Sequence, residues 1–205
     1  KQMGVSRATL REAMRSFETQ GVIRRRQGSG TYVVGKVPVI DAGLEKLESI
    51  ETMARRMNLE ITISDLNIEQ FDADADSAKG LGVAEKTRLT RIRRVIRADR
   101  RPAAYLVDIL PESFLKPSDL PSNFSGSVLD FLLARGDKLG ISRAVVGATN
   151  AHTDVAKPLE IQRDDVLLKF ESQLFDLKNN VVDFSVSYFI PGYFHFHVNR
   201  RVGSS

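Results

Sequence analysis

Apolar residues recur along this chain with two different periods, and the change of period marks a change of architecture. From Ser6, the run SRATLREAMRSFETQG places Leu10, Ala13, Met14 and Phe17 at i, i+3, i+4 and i+7, the spacing of one helix face. Ser6 suits the N-cap and Gly21 the stop. Arg7, Arg11 and Arg15 recur every four residues, which sets a basic stripe beside that apolar face. Just before it, Met3-Gly4-Val5 reads as the end of an earlier helix and a tight turn in which Gly4 takes a positive φ. Just after it, the segment from Val22 to Val34 reads as two short β runs around Gln27-Gly28-Ser29-Gly30. Helix, turn, helix and basic hairpin therefore occupy residues 1–35.

Residues 36–43 hold proline and glycine without a period and read as a linker. From Leu44 a helix is predicted, with Leu47, Ile50, Met53, Ala54 and Met57 as its apolar positions. Beyond it the period shortens to two. Strands are predicted over Glu60–Phe71, Arg88–Ala98, Ala103–Leu110, Ile141–Ala151, Val166–Asp176 and Val181–Ile190. Lys178-Asn179-Asn180 is a turn signal that makes the last two a hairpin. Short helices are expected over Ser77–Leu81, Ser127–Arg135 and Thr153–Leu159. Residues 44–205 thus read as one α+β domain with an antiparallel sheet whose strands pair mainly with chain neighbours.

Charge sharpens this division. The 205 residues carry a net +4, yet residues 1–36 hold eight basic and two acidic side chains, so everything after them is slightly acidic. A basic module on an acidic body is the footprint of a protein that meets phosphates at one end only. The chain has no cysteine, which removes disulfides, cysteine zinc sites and thiol nucleophiles and is compatible with the cytoplasm. No signal-peptide pattern opens it, and no apolar run approaches the roughly 20 residues needed to cross a bilayer. No phosphate loop, nucleophile-base spacing or paired-acid motif appears either.

GVSRATLREAM followed by QGVIRRRQGSGTYV resembles the second half of the GntR-type winged helix-turn-helix. The resemblance implies that the helix beginning at Arg7 enters the major groove of double-stranded operator DNA, with its amino-terminal residues at base edges. It implies that Arg7 and Arg11 read bases or backbone, that Ser6 and Thr9 touch phosphate, and that Gln27 and Gly28 form a wing tip near the minor groove. The family module opens with a further helix, so a winged helix-turn-helix that is incomplete at its amino end is expected. Leu10, Met14 and Phe17 would then lack part of their packing partner, making this end marginally stable.

The remainder resembles the UTRA effector-binding domain of HutC-type GntR regulators, whose fold is similar to chorismate lyase. The resemblance rests on Leu81-Gly82-Val83 before TRIRRVIRADRRPAAYLVDILPESF, then SVLDFLLARG and the closing DFSVSYFIPGYFHFHV. Family members that bind sugar phosphates carry two arginines one residue apart before the Ala-Asp turn, and here those positions hold Arg94 and Ile96. Leu106 stands where a glutamate is usual on the next strand, and Asp183 and Phe189 stand where a glutamate and an aromatic hydroxyl are usual. Each change lowers polarity or charge, so a carboxylate, amine, aromatic or amphipathic metabolite is expected rather than clearly a sugar phosphate. Arg94, Asp183, Ser185, Phe189 and Ser49 are the candidate effector-binding residues, with Ser49 reading first as a helix cap. Strand alternation puts Arg91 and Arg93 on the face opposite Arg94, and Tyr188 opposite Asp183 and Ser185.

By resemblance the chain is expected to be a homodimeric transcription regulator, most simply a repressor released by its metabolite, with no cofactor and no catalytic residues. Two alternatives stand beside this. His195 and His197 share a strand face, with His152 distant, and could serve a metal-responsive regulator, although two histidines without neighbouring ligands are a weak set. A small-molecule-converting enzyme of chorismate lyase-like fold is the other, but fold alone does not carry chemistry.

Overall fold

The computed structural model describes residues 4–19, 22–26, 30–33, 39–124 and 126–201. Helix α1 spans Arg7–Thr19, and Gly4 before it takes φ +61°, the left-handed turn its position demands. Strands β1 (Ile23–Arg26) and β2 (Gly30–Val33) pair antiparallel, Ile23 opposite Val33 and Arg26 opposite Gly30. The Val22 amide donates to the Phe17 carbonyl and fastens the hairpin to the end of α1. Ile23 is buried, whereas Leu10 and Phe17 on the apolar face of α1 remain 41% and 47% exposed.

The rest is built on a six-stranded antiparallel sheet in the order β4-β5-β6-β9-β8-β7. Its strands are β4 (Ile61–Asp72), β5 (Arg88–Ala98), β6 (Arg101–Pro111), β7 (Leu139–Asn150), β8 (Val166–Asp176) and β9 (Val181–Phe189). Every pairing but one joins consecutive strands. The exception, β6 to β9, sets Leu106 opposite Ser187 and Asp108 opposite Ser185. The β8–β9 turn is held by the Asp176 carboxylate, which accepts from the amides of Lys178 and Asn180, while Asn179 sits at φ +67°.

Helices cover both faces of this sheet. On one, α2 (Ile50–Arg56) packs Ile50, Met53 and Ala54 with Ile96, Ala104, Leu106, Phe170 and Phe189. Further along the same face, α4 (Val128–Arg135) buries Val128 and Leu132 among Ile92, Leu110, Leu115, Leu174 and Val182. On the other, α3 (Ala75–Leu81) covers Leu89 and Ile109, and α5 (Thr153–Ala156) covers Leu167 and Ile190. Ser127 caps α4 through the Asp130 amide, and Gly136 at φ +91° closes it.

Two expectations are corrected here. The helix predicted from Leu44 begins at Ile50, because Ser49 takes extended backbone and its hydroxyl accepts the Thr52 amide as N-cap; Leu47 stays 49% exposed. The linker expected over 36–43 gives way to a strand, β3 (Ile40–Gly43), paired parallel to β10 (Phe194–His197). Ile40 and Ala42 point inward and are buried, a pattern too short to register as alternation in the sequence.

Candidate functional site

At the amino end, the Ser6 hydroxyl accepts the Thr9 amide at 3.0 Å and lies 2.9 Å from the Thr9 hydroxyl, so it acts as the cap of α1. Arg7, Thr9 and Arg11 are exposed around the first turns of that helix. Arg11 and Arg15 also line a hollow between α1 and the hairpin, with Ile23 and Thr31. Gln27 and Gly28 lie outside the described residues. Donors thus cluster where the partial positive charge of a helix amino terminus adds to them, an arrangement that attracts phosphate.

A second site is a cavity of about 700 Å³ on the α2/α4 face of the sheet, within the range of small-molecule pockets. Its floor is the inward row of five strands: Arg94, Leu106, Asp108, Asp183, Ser185, Ser187, Phe189, Phe170 and Ser172 with residues of β7. Its wall is the stretch from Ala42 to Glu51 that leads from β3 into α2. The structure therefore gathers all five candidate residues, Ser49, Arg94, Asp183, Ser185 and Phe189, around one space. Arg91 and Arg93 lie on the opposite face, both paired with Glu69 at 2.9 and 2.7 Å, and Tyr188 stacks on Tyr105 there.

Charge is concentrated at the cavity floor. Arg94 is 4% exposed; its guanidinium donates to Asp108 and lies 3.7 Å from Glu51. Burial opposes its charge, but the carboxylates of Asp108 and Glu51 hold it protonated. Burial and the neighbouring Asp108 push the Asp183 carboxyl well above the usual aspartate range, within hydrogen-bonding reach of Asp108, while it accepts the Ile109 amide at 3.2 Å. Burial likewise raises Glu51, against the pull of Arg94. Both carboxyl oxygens of Glu51 and the Nε of Arg94 are buried without a hydrogen-bond partner.

Asp108 and Glu51 escaped the sequence reading. Asp108 had a signal, since Ala104, Leu106, Asp108 and Leu110 form the inward row of β6, where a lone charge needs a partner. It supplies an acid two residues beyond Leu106, on the same face, where the resemblance had suggested one was missing. Glu51 had none, because only the true start of α2 at Ser49 sets its direction. Ser49 itself caps α2 and donates to Asp130 at 2.6 Å, and Thr52 donates to the same oxygen at 3.2 Å, tying α2 to α4 over the cavity.

Asp183 makes stability depend on pH. Its folded pKa lies above the unfolded value of 3.8, so the folded state holds a proton that the unfolded state has lost, and stability falls as pH rises between the two. Asp183→Asn imitates the protonated form. Its stability relative to the parent should grow with pH across that window by at most about 1.4 kcal/mol per unit. Urea unfolding of both proteins from pH 4 upward checks this; a constant difference would mean Asp183 is ionised throughout.

Outside the cavity, parallel pairing places Asp41 opposite His195, and Asp41 Oδ1 lies 3.0 Å from Nδ1 of both His195 and His197. This is the one three-residue group among the described residues whose ligand atoms, within 4.8 Å of one another, could hold a metal ion. Asp41 and His195 are exposed and His197 is half-buried, and two hydrogen bonds to one carboxylate account for the arrangement without an ion. His152 stands apart as the residue preceding α5. Among the described residues no helix is long and apolar enough to cross a membrane.

Comparison with known proteins agrees with this fold. Residues 56–195 match the family described as UTRA domain, and residues 1–33 match the bacterial regulatory proteins of the gntR family. An uncharacterized HTH-type transcriptional regulator of Rhizobium meliloti, RB1450, is 27% identical over 187 residues, spanning 90% of this chain and 75% of the relative. The HTH-type transcriptional repressor NagR of Bacillus subtilis is 27% identical over 166 residues, 80% of this chain and 66% of NagR. The crystal structure of PhnF from Mycobacterium smegmatis superposes with a TM-score of 0.73 at 19% identity, covering 98% of this chain and 88% of PhnF. That of YydK, a possible transcriptional regulator from Bacillus subtilis, does so with 0.65 at 18%, covering 97% and 85%. RB1450 and NagR are named as transcriptional regulators, and neither the enzyme nor the metal-responsive alternative gains support from these proteins.

Proposed function

The chain belongs to the UTRA-domain family of GntR-type transcriptional regulators, and on that premise we propose that it is a repressor whose grip on operator DNA is loosened by a small molecule held in the sheet cavity. The observation that carries this reading is the cavity wall. Ala42 to Glu51 both lines the cavity and continues, through β3, toward the DNA-binding segment. A ligand that touches this wall interacts differently with its alternative positions, which is the requirement for coupling two sites. NagR's being named a repressor favours the sign.

Two copies, related by a two-fold axis, read a pseudo-palindromic operator, one half-site for each α1. Exposed Arg7 near the start of α1 suits a bidentate contact to guanine, and Ser6 and Thr9 suit phosphate. The protein acts in the cytoplasm, where the operator is. The test uses an operator recovered from random duplexes by selection with the intact regulator. Arg7→Ala should weaken binding by about 1–3 kcal/mol and relax preference at one base pair; equal loss on every sequence would make Arg7 a phosphate contact instead. A metabolite that binds the cavity should lower operator affinity, and unchanged affinity at saturation would refute the coupling.

A further inference from the structure

We infer that the cavity selects an organic cation: a small metabolite with a protonated amine or guanidinium at Glu51 and an apolar or aromatic part against Phe170, Phe189 and Phe196. This rests on the cavity being the effector site, and it names the chemical class that site takes.

The inventory of charges points one way. Five acidic side chains line the cavity, Glu45, Glu48, Glu51, Asp108 and Asp183, against Lys46 and Arg94. Neither cation carries an unanswered charge. Lys46 is 82% exposed and paired with Glu48 at 3.2 Å. Arg94 is enclosed by Asp108 and Glu51, so its charge is already answered inside the protein. A phosphate or carboxylate entering here would meet carboxylates with no cation left unpaired, which costs far more in a shielded site than in water.

Acceptors, by contrast, are on offer. Glu51 is the acid of this group whose two oxygens are buried and have no hydrogen-bond partner. An ammonium supplies up to three donors to these oxygens, and its charge balances the carboxylate left over where one guanidinium, Arg94, stands against both Asp108 and Glu51. Serine hydroxyls at 172, 185 and 187 on the floor add places for a polar substituent. The rings of Phe170, Phe189 and Phe196 meet one another with centroids 4.7–5.2 Å apart, giving an apolar wall that also favours a cation over a ring face. Apolar wall, hydroxyl floor and a carboxylate without hydrogen-bond donors together describe an amine-bearing metabolite.

The experiment follows thermal unfolding of the full 205-residue chain with four probes at equal millimolar concentration: phenethylamine, 2-phenylethanol, phenylacetate and glucose 6-phosphate. Phenethylamine should raise the melting temperature most, reflecting about tenfold tighter binding than the alcohol, and the two anions should have no effect. Glu51→Gln, which keeps shape and hydrogen-bonding capacity but not charge, should reduce that preference to about twofold while leaving the alcohol unchanged. Stabilisation by either anion, failure of phenethylamine to stabilise, or an undiminished preference in Glu51→Gln overturns the inference. Ser187→Trp, which fills the cavity, separates this failure from a deeper one. Where it abolishes the effect of whichever probe binds, the cavity remains the effector site and only the charge class is wrong. Where it changes nothing, the effector site itself lies elsewhere.

Discussion

Replacing Arg94 by methionine should destabilise the chain by about 3–5 kcal/mol, the usual cost of removing one partner from a buried ion pair. The residue is 4% exposed and stands among Asp108, Glu51 and Asp183. Methionine fills similar volume, so the loss is electrostatic: it leaves buried acids with no counter-charge. The partner change discriminates. Asp108→Asn keeps an acceptor for the guanidinium and should cost clearly less, whereas Arg94→Met combined with Asp108→Leu should recover most of the loss, because two apolar groups leave nothing unpaired. Equilibrium urea unfolding at neutral pH measures all three, and a cost for Arg94→Met below about 1 kcal/mol would mean that water reaches the site.

The second large effect lies in packing. Leu132 on α4 is fully buried among Ile92, Leu110, Leu115, Leu174 and Val182, so Leu132→Ala should cost about 2–5 kcal/mol through lost burial and the void it leaves. This site also bears on ligand binding. Asp130, on the same helix, receives the hydroxyls of Ser49 and Thr52, so loosening α4 should slacken the amino end of α2, which carries Glu51. Ligand-induced stabilisation should therefore shrink in Leu132→Ala even though residue 132 does not line the cavity. Leu89→Ala, equally buried but under α3 on the other face, should lose comparable stability with the ligand response intact. Equal responses in the two variants would exclude transmission through α4.

How far the sequence announced this structure varied with the length of each signal. The strands Arg88–Ala98 and Val166–Asp176 have the bounds the alternation predicts, because eleven residues carry the two-residue period through five full repeats. β3 has two, Ile40 and Ala42, and its partner β10 lies more than 150 residues away, so neither period nor neighbourhood revealed it. The false start of α2 has the same origin. Leu44 and Leu47 continue a helical spacing backward, but the Ser49 cap ends it, and a local hydrogen bond outweighs two exposed leucines. For the cavity, alternation separated Arg94 from Arg91 and Arg93, and Asp183 and Ser185 from Tyr188, since sheet periodicity is strict. It could not say that Arg94 would already be engaged. That depends on Asp108 across the sheet and on Glu51 from a helix whose direction only the folded chain defines.

The parallel pairing of β3 with β10 has a mechanical consequence. The Ile40 amide donates to the Tyr193 carbonyl and the Leu44 amide to that of His197, so the two strands are stitched at both ends of a short seam. A tug along β3 from its amino end loads those stitches in shear, all together, where a hairpin would peel open one rung at a time. Tension from a DNA-bound head would thus reach β10, and the aromatic rings of Phe194 and Phe196 that it carries, with little slack to absorb it.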